Sequence, residues 1–328
     1  MQTRMTFAAQ QAANRRNSIV LIGAVTLLLA ALGFTIGYGT TGYVEGAYGV
    51  TTGAIVLAML LSFGSYFGGD RLVLAASGAK EVSQQSAPQL MNVVQEMALA
   101  AGVPMPKVYI IDDTAPNAFA TGRNPEHASV AITTGLLQKL DREELQGVIG
   151  HELSHVRNFD IRFSLLVAVL VGSIALLADF FLRFTFWGGG RRSGSRDREG
   201  GGGALAAILF VIAIILAVIA PIVARFVQLA VSRQREYLAD ASSVELTRNP
   251  RGLEQALAKI AGDPEVLEVA NRATQHLYFT NPIKKFEKRS SSMFSTHPAI
   301  VDRINRLRQL TGEPALAASD VAGLAGLD

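Results

Sequence analysis

The chain of 328 residues contains no cysteine, one tryptophan and five histidines, and only 17% of its residues are charged. The absence of cysteine excludes disulfides and any zinc site built on thiolates, so a metal here must be held by histidine and carboxylate ligands. The low charge content, beside 49% hydrophobic residues, is atypical of a soluble globular protein. The net charge of +3 comes with no dense basic patch interleaved with aromatic residues, so nucleic-acid binding has no support.

The apolar residues are concentrated in four blocks of about 20 residues each. A helix rises about 1.5 Å per residue, so ~20 residues cross a hydrocarbon core of about 30 Å. The sequence therefore predicts about four transmembrane helices. Each block has the alternative of a buried helix in a globular core, and the last two have the alternative of a hairpin that does not fully cross. The blocks cover residues 18–38, 48–67, 163–182 and 204–224.

Basic residues indicate which side of the membrane each segment faces. Three arginines precede the first block, whereas the loop over residues 39–47 contains Glu45 and neither Lys nor Arg. By the positive-inside rule the N-terminal tail is cytoplasmic, and the segment over residues 70–160 returns to the cytoplasm after two crossings. The Arg-rich loop over residues 187–203 disagrees with this orientation, but the first helix usually dominates topology.

Local signals predict the secondary structure of the first polar segment. An amphipathic pattern predicts a helix over Pro88–Ala101, and β-branched and aromatic residues predict strands over Lys107–Ile111 and Ser129–Thr133. A further helix is predicted from Asp141, whose carboxylate can cap it while Glu144 occupies the capping-box position. The second polar segment is mostly helical by pattern.

The segment His151-Glu-Leu-Ser-His155 lies on the last helix of the first polar segment. At about 100° per residue the two histidines are about 40° apart and one turn along, so both imidazoles can reach one metal ion. Zinc takes three protein ligands and leaves a fourth position to water, which becomes acidic enough for a neighbouring carboxylate to take its proton. Glu152 is therefore the predicted general base. The alternative is a coincidence of two surface histidines and a glutamate on one helix.

A third metal ligand must come from elsewhere in the chain. The best candidate is Glu236, in the segment Arg235-Glu-Tyr-Leu-Ala-Asp240. Asp240 lies one turn further on, so one carboxylate can bind the metal while the other holds a ligand imidazole in the right tautomer. An even number of apolar blocks separates this segment from the histidine motif, so both emerge on the same side of the membrane. Ordinary exposed acids on a helix are the alternative, and His297 is the next candidate ligand.

Four motifs, taken together, resemble those of a known family. They are Asn117-Ala-Phe-Ala-Thr-Gly122, His151-Glu-Leu-Ser-His155, Arg235-Glu-Tyr-Leu-Ala-Asp240, and Thr296-His-Pro298 followed by Arg303-Ile304. In this order they are similar to the motifs of the HtpX heat-shock membrane proteases, which are relatives of the CAAX prenyl proteases within the gluzincin metallopeptidases. The likeness covers most of the chain, about residues 18–310.

The resemblance implies a zinc metalloendopeptidase with one Zn²⁺ per chain. It implies membrane or misfolded proteins as substrates, a role in protein quality control, and a multi-pass protein of the cell inner (plasma) membrane with its active site facing the cytoplasm. Protein substrates and the lipid bilayer are then the expected partners, and the sequence leaves a homo-oligomer open. A zinc-stabilised membrane protein without activity is the alternative from another class, but it would have no use for the intact base Glu152.

The resemblance also assigns roles to single residues. It implies that Glu236 is the third zinc ligand and that Asp240 orients a zinc-bound histidine. It implies that His297 and Arg303 stabilise the oxyanion of the tetrahedral intermediate. From the residues alone, His297 before Pro298 is an equally good start of a helix.

The segment with Asn117, Ala118 and Phe119 is implied to be an edge strand that pairs with an extended substrate. The expected fold is an α+β membrane protein, in which a mostly helical zincin-type metallopeptidase domain with a small β-sheet is mounted on about four transmembrane helices. Its parts are a cytoplasmic N-terminal tail, two transmembrane helices, the first half of the metallopeptidase domain, a transmembrane hairpin with a Gly/Arg-rich loop, the second half of the domain, and a flexible tail. They cover residues 1–17, 18–68, 69–160, 161–224 with the loop at 187–203, 225–310 and 311–328.

Overall fold

The structure, a computed structural model, describes residues 7–41, 43–166, 211, 233–263 and 298–317. Its helices are α1 (Phe7–Thr41), α2 (Val44–Ala76), α3 (Pro88–Ala101), α4 (Thr134–Lys139), α5 (Arg142–Arg157), α6 (Arg233–Thr247), α7 (Pro250–Gly262) and α8 (Ile300–Thr311). Its strands are β1 (Lys80–Glu81), β2 (Lys107–Ile111), β3 (Ala118–Gly122) and β4 (Ala128–Thr133). This mostly helical content with a small sheet confirms the predicted α+β class.

The chain divides into two compact units. One comprises residues 67–165 and 228–328 together with 1–15, and the other comprises residues 16–66 and 166–227. The histidine motif and its neighbours belong to the first unit.

Among the described residues, α2 is the one helix long and apolar enough to cross a membrane by length and composition. Helix α1 contains a shorter apolar stretch, Ile22–Thr35. It begins at Phe7, so the predicted N-terminal tail is in large part helical. The third and fourth predicted blocks lie outside the described residues apart from residues 163–166 and 211, so four spanning helices stay a prediction.

The surface of α2 differs from that of a soluble helix. Met59, Leu60 and Phe63 each expose more than half of their accessible area. Small residues instead line its contact with α1, since a Cβ placed on Gly37 would lie 2.7 Å from the Cα of Ala47. Apolar side chains facing outward and glycine at the helix contact are typical of helices packed in a bilayer.

The sheet has the strand order β1-β2-β4-β3, in which β2 and β4 are parallel and the two outer pairs are antiparallel. Side chains alternate between its faces. Val130 and Ile132 pack into the main core with residues of α3 and α5, whereas Phe119 packs on the other face with Leu74 of α2 and Leu165. The predicted strand at 129–133 is confirmed and begins one residue earlier.

Local signals place α3 and α5 as predicted. Pro88 occupies the first turn of α3, and Gly102 ends it with a φ of 66°, a conformation that costs glycine little. Helix α5 begins with the predicted capping box, in which the Glu144 amide donates to Asp141 at 2.9 Å and the Asp141 amide donates to Glu144 at 2.8 Å. The box fixes the start of the helix that carries both histidines.

Glycines let two later helices approach α5 closely. A Cβ on Gly147 would lie 2.8 Å from the backbone nitrogen of Leu253 in α7, and one on Gly150 would lie 3.0 Å from Oγ of Ser243 in α6. Ser243 also donates a hydrogen bond to the carbonyl of Gly147 at 2.6 Å. These contacts set the distance between α5 and α6, and therefore the distance between the histidine motif and Glu236.

The start of the predicted flexible tail is attached to α8. Asn305 exchanges two hydrogen bonds with the backbone of Leu316, at 2.7 and 3.0 Å, and Arg308 donates to the carbonyl of Pro314 at 2.7 Å. Side chains of α8 thus bond to backbone groups of Pro314 and Leu316, and the flexibility of the tail stays a prediction.

The close contact at Gly147 leads to a stability prediction. We expect Gly147→Ala to lower the free energy of unfolding by about 1–3 kcal/mol, because the new methyl group meets backbone that cannot rotate away. Gly64→Ala is the control, since no described atom lies within 4 Å of its Cβ position. It should be neutral or stabilise by up to about 1 kcal/mol. Thermal unfolding in detergent measures both, and a Gly147→Ala protein as stable as wild type would contradict the packing described.

Candidate metal centre and active site

Helices α5 and α6 bring His151, His155 and Glu236 together, with ligand atoms that all lie within 4.8 Å of one another. The two Nε2 atoms are 3.1 Å apart. Each lies 3.6 Å from a carboxylate oxygen of Glu236. A tetrahedral zinc ion with bonds of about 2.05 Å separates its ligand atoms by about 3.3 Å, so the three side chains fit such an ion.

The charge of the cluster also suits a divalent cation. Within the described ranges, four carboxylates and two guanidinium groups belong to the cluster or contact it, namely Glu152, Asp160, Glu236, Asp240, Arg235 and Arg303. With neutral imidazoles, these groups carry two excess negative charges. One Zn²⁺ would balance that charge in a region where unpaired charge is costly.

His151 is oriented by Asp240. Its Nδ1 lies 2.9 Å from Oδ1 of Asp240, which assigns the proton to Nδ1 and the lone pair to Nε2. Arg303 donates to both oxygens of Asp240, at 2.9 Å from Nε and 2.7 Å from Nη2. Burial alone would raise the pKa of Asp240, but Arg303 and His151 outweigh burial and keep that pKa below its ordinary value. The carboxylate stays ionised inside the protein.

His155 has a carboxylate partner of its own, which the sequence did not reveal. Oδ2 of Asp160 lies 3.0 Å from Nδ1 of His155. Burial lowers the pKa of His155, but the hydrogen bond to Asp160 and the charge of Glu236 outweigh burial and raise that pKa to about 9. The surroundings of His155 are thus negative. The sequence shows an aspartate five residues after His155, but whether its carboxylate reaches the imidazole depends on where α5 ends.

Glu152 lies next to strand β3 and is 2% exposed. Burial raises its pKa, while His151 and His155 act in the opposite direction, as does a hydrogen bond from the backbone of Ala120. A carboxylate with a raised pKa, beside two candidate ligands, is suited to accept and return a proton.

Among the described strands, β3 forms one edge of the sheet. The carbonyl of Asn117 accepts from Thr133 of β4, and with the antiparallel register this directs the amides of Ala118 and Ala120 away from β4. The Ala118 amide donates to Oδ1 of Asn117 at 3.0 Å. Phe119 directs its backbone to β4 and its side chain into the core, where it is fully buried. This geometry favours a structural role for Phe119 over the predicted contact with substrate, which stays a prediction.

The two remaining predicted residues are Arg303, which the structure describes, and His297, which it does not. Arg303 is 1% exposed and lies on the Asp240 side of His151, with Nη1 3.6 Å from Glu236. That position is behind a ligand and bonded to a carboxylate, which favours support of the ligands over the predicted oxyanion contact. His297 lies outside the described residues, and Pro298 after it is buried.

The Arg303 pair with Asp240 leads to a second prediction. We expect Arg303→Met to destabilise the protein by about 3–5 kcal/mol, because it leaves the Asp240 carboxylate buried without its cation. Arg306→Met is the matched control on the same helix, since Arg306 is exposed and contacts only the ring of Tyr237 among the interactions described. The control should cost at most about 1 kcal/mol. Chemical denaturation of both variants measures the difference, and equal stabilities would refute the buried pair.

Comparisons with known proteins identify the family of the chain. The model of the family described as Peptidase family M48 matches residues 84–311. The chain is 44% identical over 302 residues to a protease HtpX homolog of Streptococcus uberis, and 46% identical over 307 residues to one of Listeria monocytogenes serotype 4a. Each match covers 92% of this chain and 99% of the relative. The crystal structure of S. mikatae Ste24p is similar with a TM-score of 0.44 and 18% identity, over 77% of this chain and 57% of that chain. The family match spans more than half of the sequence, and the chain therefore belongs to peptidase family M48, a family of zinc-dependent metallopeptidases.

Proposed function

We propose that the chain is an integral-membrane zinc endopeptidase that hydrolyses peptide bonds of membrane-associated or misfolded proteins. Its metal ligands are His151, His155 and Glu236, and its general base is Glu152. The family and the HtpX homologues indicate a membrane-associated metalloprotease. We propose its mechanism and the class of its substrates.

One observation carries the proposal: the base, the ligand pair and an edge strand meet in one place. Glu152 follows His151 on α5, and its carboxylate receives a hydrogen bond from the backbone of Ala120 in β3. A peptidase needs a proton acceptor next to the position where an extended peptide binds. A metal site that only stabilised the fold would need neither the base nor the adjacent strand edge.

Zinc bound at this site supplies Lewis acidity, which acidifies water and polarises a carbonyl group. The chain's own residues do the rest. Glu152 takes a proton from the attacking water and returns it to the leaving amine. Its position on α5 directly beside His151 lets it do both.

The substrate strand is proposed to lie along β3. The backbone groups of Ala118 and Ala120 are directed away from β4. Their amides already donate to Oδ1 of Asn117 and to Glu152, so an added strand would pair with the carbonyl groups on this edge. Asn117, whose side chain accepts from the Ala118 amide, sets the conformation of that edge. With Arg303 assigned to Asp240, His297 is the remaining candidate for contact with the oxyanion.

The proposed location in the membrane indicates which proteins are substrates. Helix α2 is long and apolar enough to span, and the basic N-terminal tail favours a cytoplasmic active site in the inner membrane. We propose four spans in total, although the last two fall on residues outside the described ranges. Membrane proteins and misfolded chains close to the bilayer are then the substrates, in keeping with protein quality control.

The central test of the proposed reaction is the base. Glu152→Gln should lower cleavage of casein and of a membrane-protein substrate by at least about a hundredfold, because general-base catalysis contributes roughly that much. Its zinc content should equal that of wild type. Glu245→Gln, at an exposed position of α6, is the matched control and should cleave normally. A Glu152→Gln protein that cleaves at the wild-type rate would disprove the assignment.

The ligand assignment has a separate test. Glu236→Ala should lose stoichiometric zinc after dialysis, whereas Glu245→Ala on the same helix should keep it, because only Glu236 lies near both imidazoles. Metal analysis of the purified proteins measures this. Full zinc content in Glu236→Ala would move the third ligand to His297.

The absence of cysteine makes the membrane orientation directly testable. Single substitutions introduce one thiol each, and both Glu45 and Glu126 are exposed. We expect a membrane-impermeant maleimide to label Glu45→Cys in spheroplasts, and to label Glu126→Cys only after the membrane is permeabilised. The opposite pattern would place the active site outside.

A further inference from the structure

The two candidate ligand histidines are held in the same way but by different elements. Nδ1 of His151 meets Asp240, whose carboxylate is paired with Arg303. Nδ1 of His155 meets Asp160 at 3.0 Å, and the other oxygen of Asp160 lies 3.4 Å from Nη1 of Arg235. Each imidazole therefore has a carboxylate behind it and a guanidinium group behind the carboxylate.

We propose that Asp160, supported by Arg235, is a positioning residue of the metal centre that fixes the ring and tautomer of His155. The inference rests on the proposed metal site. A carboxylate on Nδ1 keeps the proton there, turns the Nε2 lone pair toward the metal position and makes the ligand more basic. Asp160 is 3% exposed and lies within the same buried group as the ligands.

The backbone after α5 is bent so that Asp160 can reach His155. Helix α5 ends at Arg157 with Asn158 as its cap, and Phe159 then takes a φ of 61°. This left-handed conformation is unfavourable for a bulky residue and persists only where the surroundings enforce it. Residues 160–166 are helical again. The turn thus lies directly before the residue whose carboxylate contacts Nδ1 of His155.

Arg235 links the Asp160–His155 pair to the third candidate ligand, Glu236. It immediately precedes Glu236 in the first turn of α6, so one turn of helix supplies both a candidate metal ligand and the partner of Asp160. Its guanidinium group also lies over the ring of Phe163, at 4.4 Å from the centroid. The aromatic ring and the carboxylate together fix the guanidinium group, although 13% of the Arg235 side chain is exposed.

The two carboxylate–guanidinium pairs differ in the length of their contacts. Arg303 makes two short hydrogen bonds to Asp240, whereas the contact of Arg235 with Asp160 at 3.4 Å is an ionic contact of longer range. We therefore expect the loss of Asp160 to affect zinc more than the loss of Arg235.

A purely structural role for Asp160 makes a different prediction. Asparagine is nearly isosteric with aspartate, so a role in packing alone would leave the zinc affinity of Asp160→Asn unchanged. The substitution replaces the ionised acceptor by a neutral amide, which cannot hold the His155 proton in the same way.

The experiment measures zinc affinity in the full-length protein in detergent, by competition with a chelating dye. Asp160→Asn should raise the zinc Kd about 10- to 100-fold, as loss of such a partner usually does. Its visible spectrum with Co²⁺ in place of zinc should shift, because the His155 ligand changes orientation. Arg235→Met should raise the Kd less, and adding it to Asp160→Asn should cause little further loss. Asp112→Asn, at an exposed aspartate, is the matched control and should match wild type.

A wild-type Kd and Co²⁺ spectrum in Asp160→Asn would overturn the inference. If that variant does not fold, Arg235→Met decides, and a wild-type Kd in a folded Arg235→Met protein would overturn it equally. Glu236→Ala separates this outcome from failure of the metal site. If Glu236→Ala loses zinc while Asp160→Asn binds it normally, only the positioning role is wrong.

Discussion

The constraint on which the site depends is that two imidazole rings must point their Nε2 atoms at one position inside the protein. Each ring is held by a hydrogen bond from Nδ1 to a buried carboxylate, at 2.9 Å for His151 and 3.0 Å for His155. A buried carboxylate is stable only when it is paired, and arginines from α6 and α8 supply that pairing. Without these paired carboxylates the two imidazoles would have neither a fixed tautomer nor a fixed orientation.

Close packing of α6 and α7 against α5 brings the candidate ligands together. Gly147 and Gly150 remove side chains where α7 and α6 approach, and the capping box at Asp141 sets where α5 begins. On its other side α5 contacts the sheet, so that Glu152 reaches the backbone of Ala120. One helix thus carries two ligands and the base and also faces the strand proposed to bind substrate. In α5, the residues that pack against neighbouring helices and the residues of the candidate site therefore lie on different faces.

Local signals made part of this predictable. Pro88, Gly102 and the Asp141–Glu144 box mark helix ends with side-chain or backbone chemistry close in sequence, and the bounds predicted from them are confirmed. The partner of Arg303 was not predictable, because Asp240 is distant in sequence and the pairing depends on how α8 packs. Asp160 was missed because its role depends on a left-handed Phe159, which sequence patterns disfavour. The attachment of residues 312–317 likewise depends on α8 side chains that reach back to the chain.

Membership of peptidase family M48 agrees with the geometry derived from the residues, and the central claim is that one zinc ion occupies the cluster. Anomalous scattering at the zinc edge from crystals of the full-length protein tests that claim most directly. The account predicts a single peak about 2.0–2.2 Å from Nε2 of His151, Nε2 of His155 and a carboxylate oxygen of Glu236. A peak bonded through Nδ1 of either histidine, or one without Glu236 among its ligands, would contradict it.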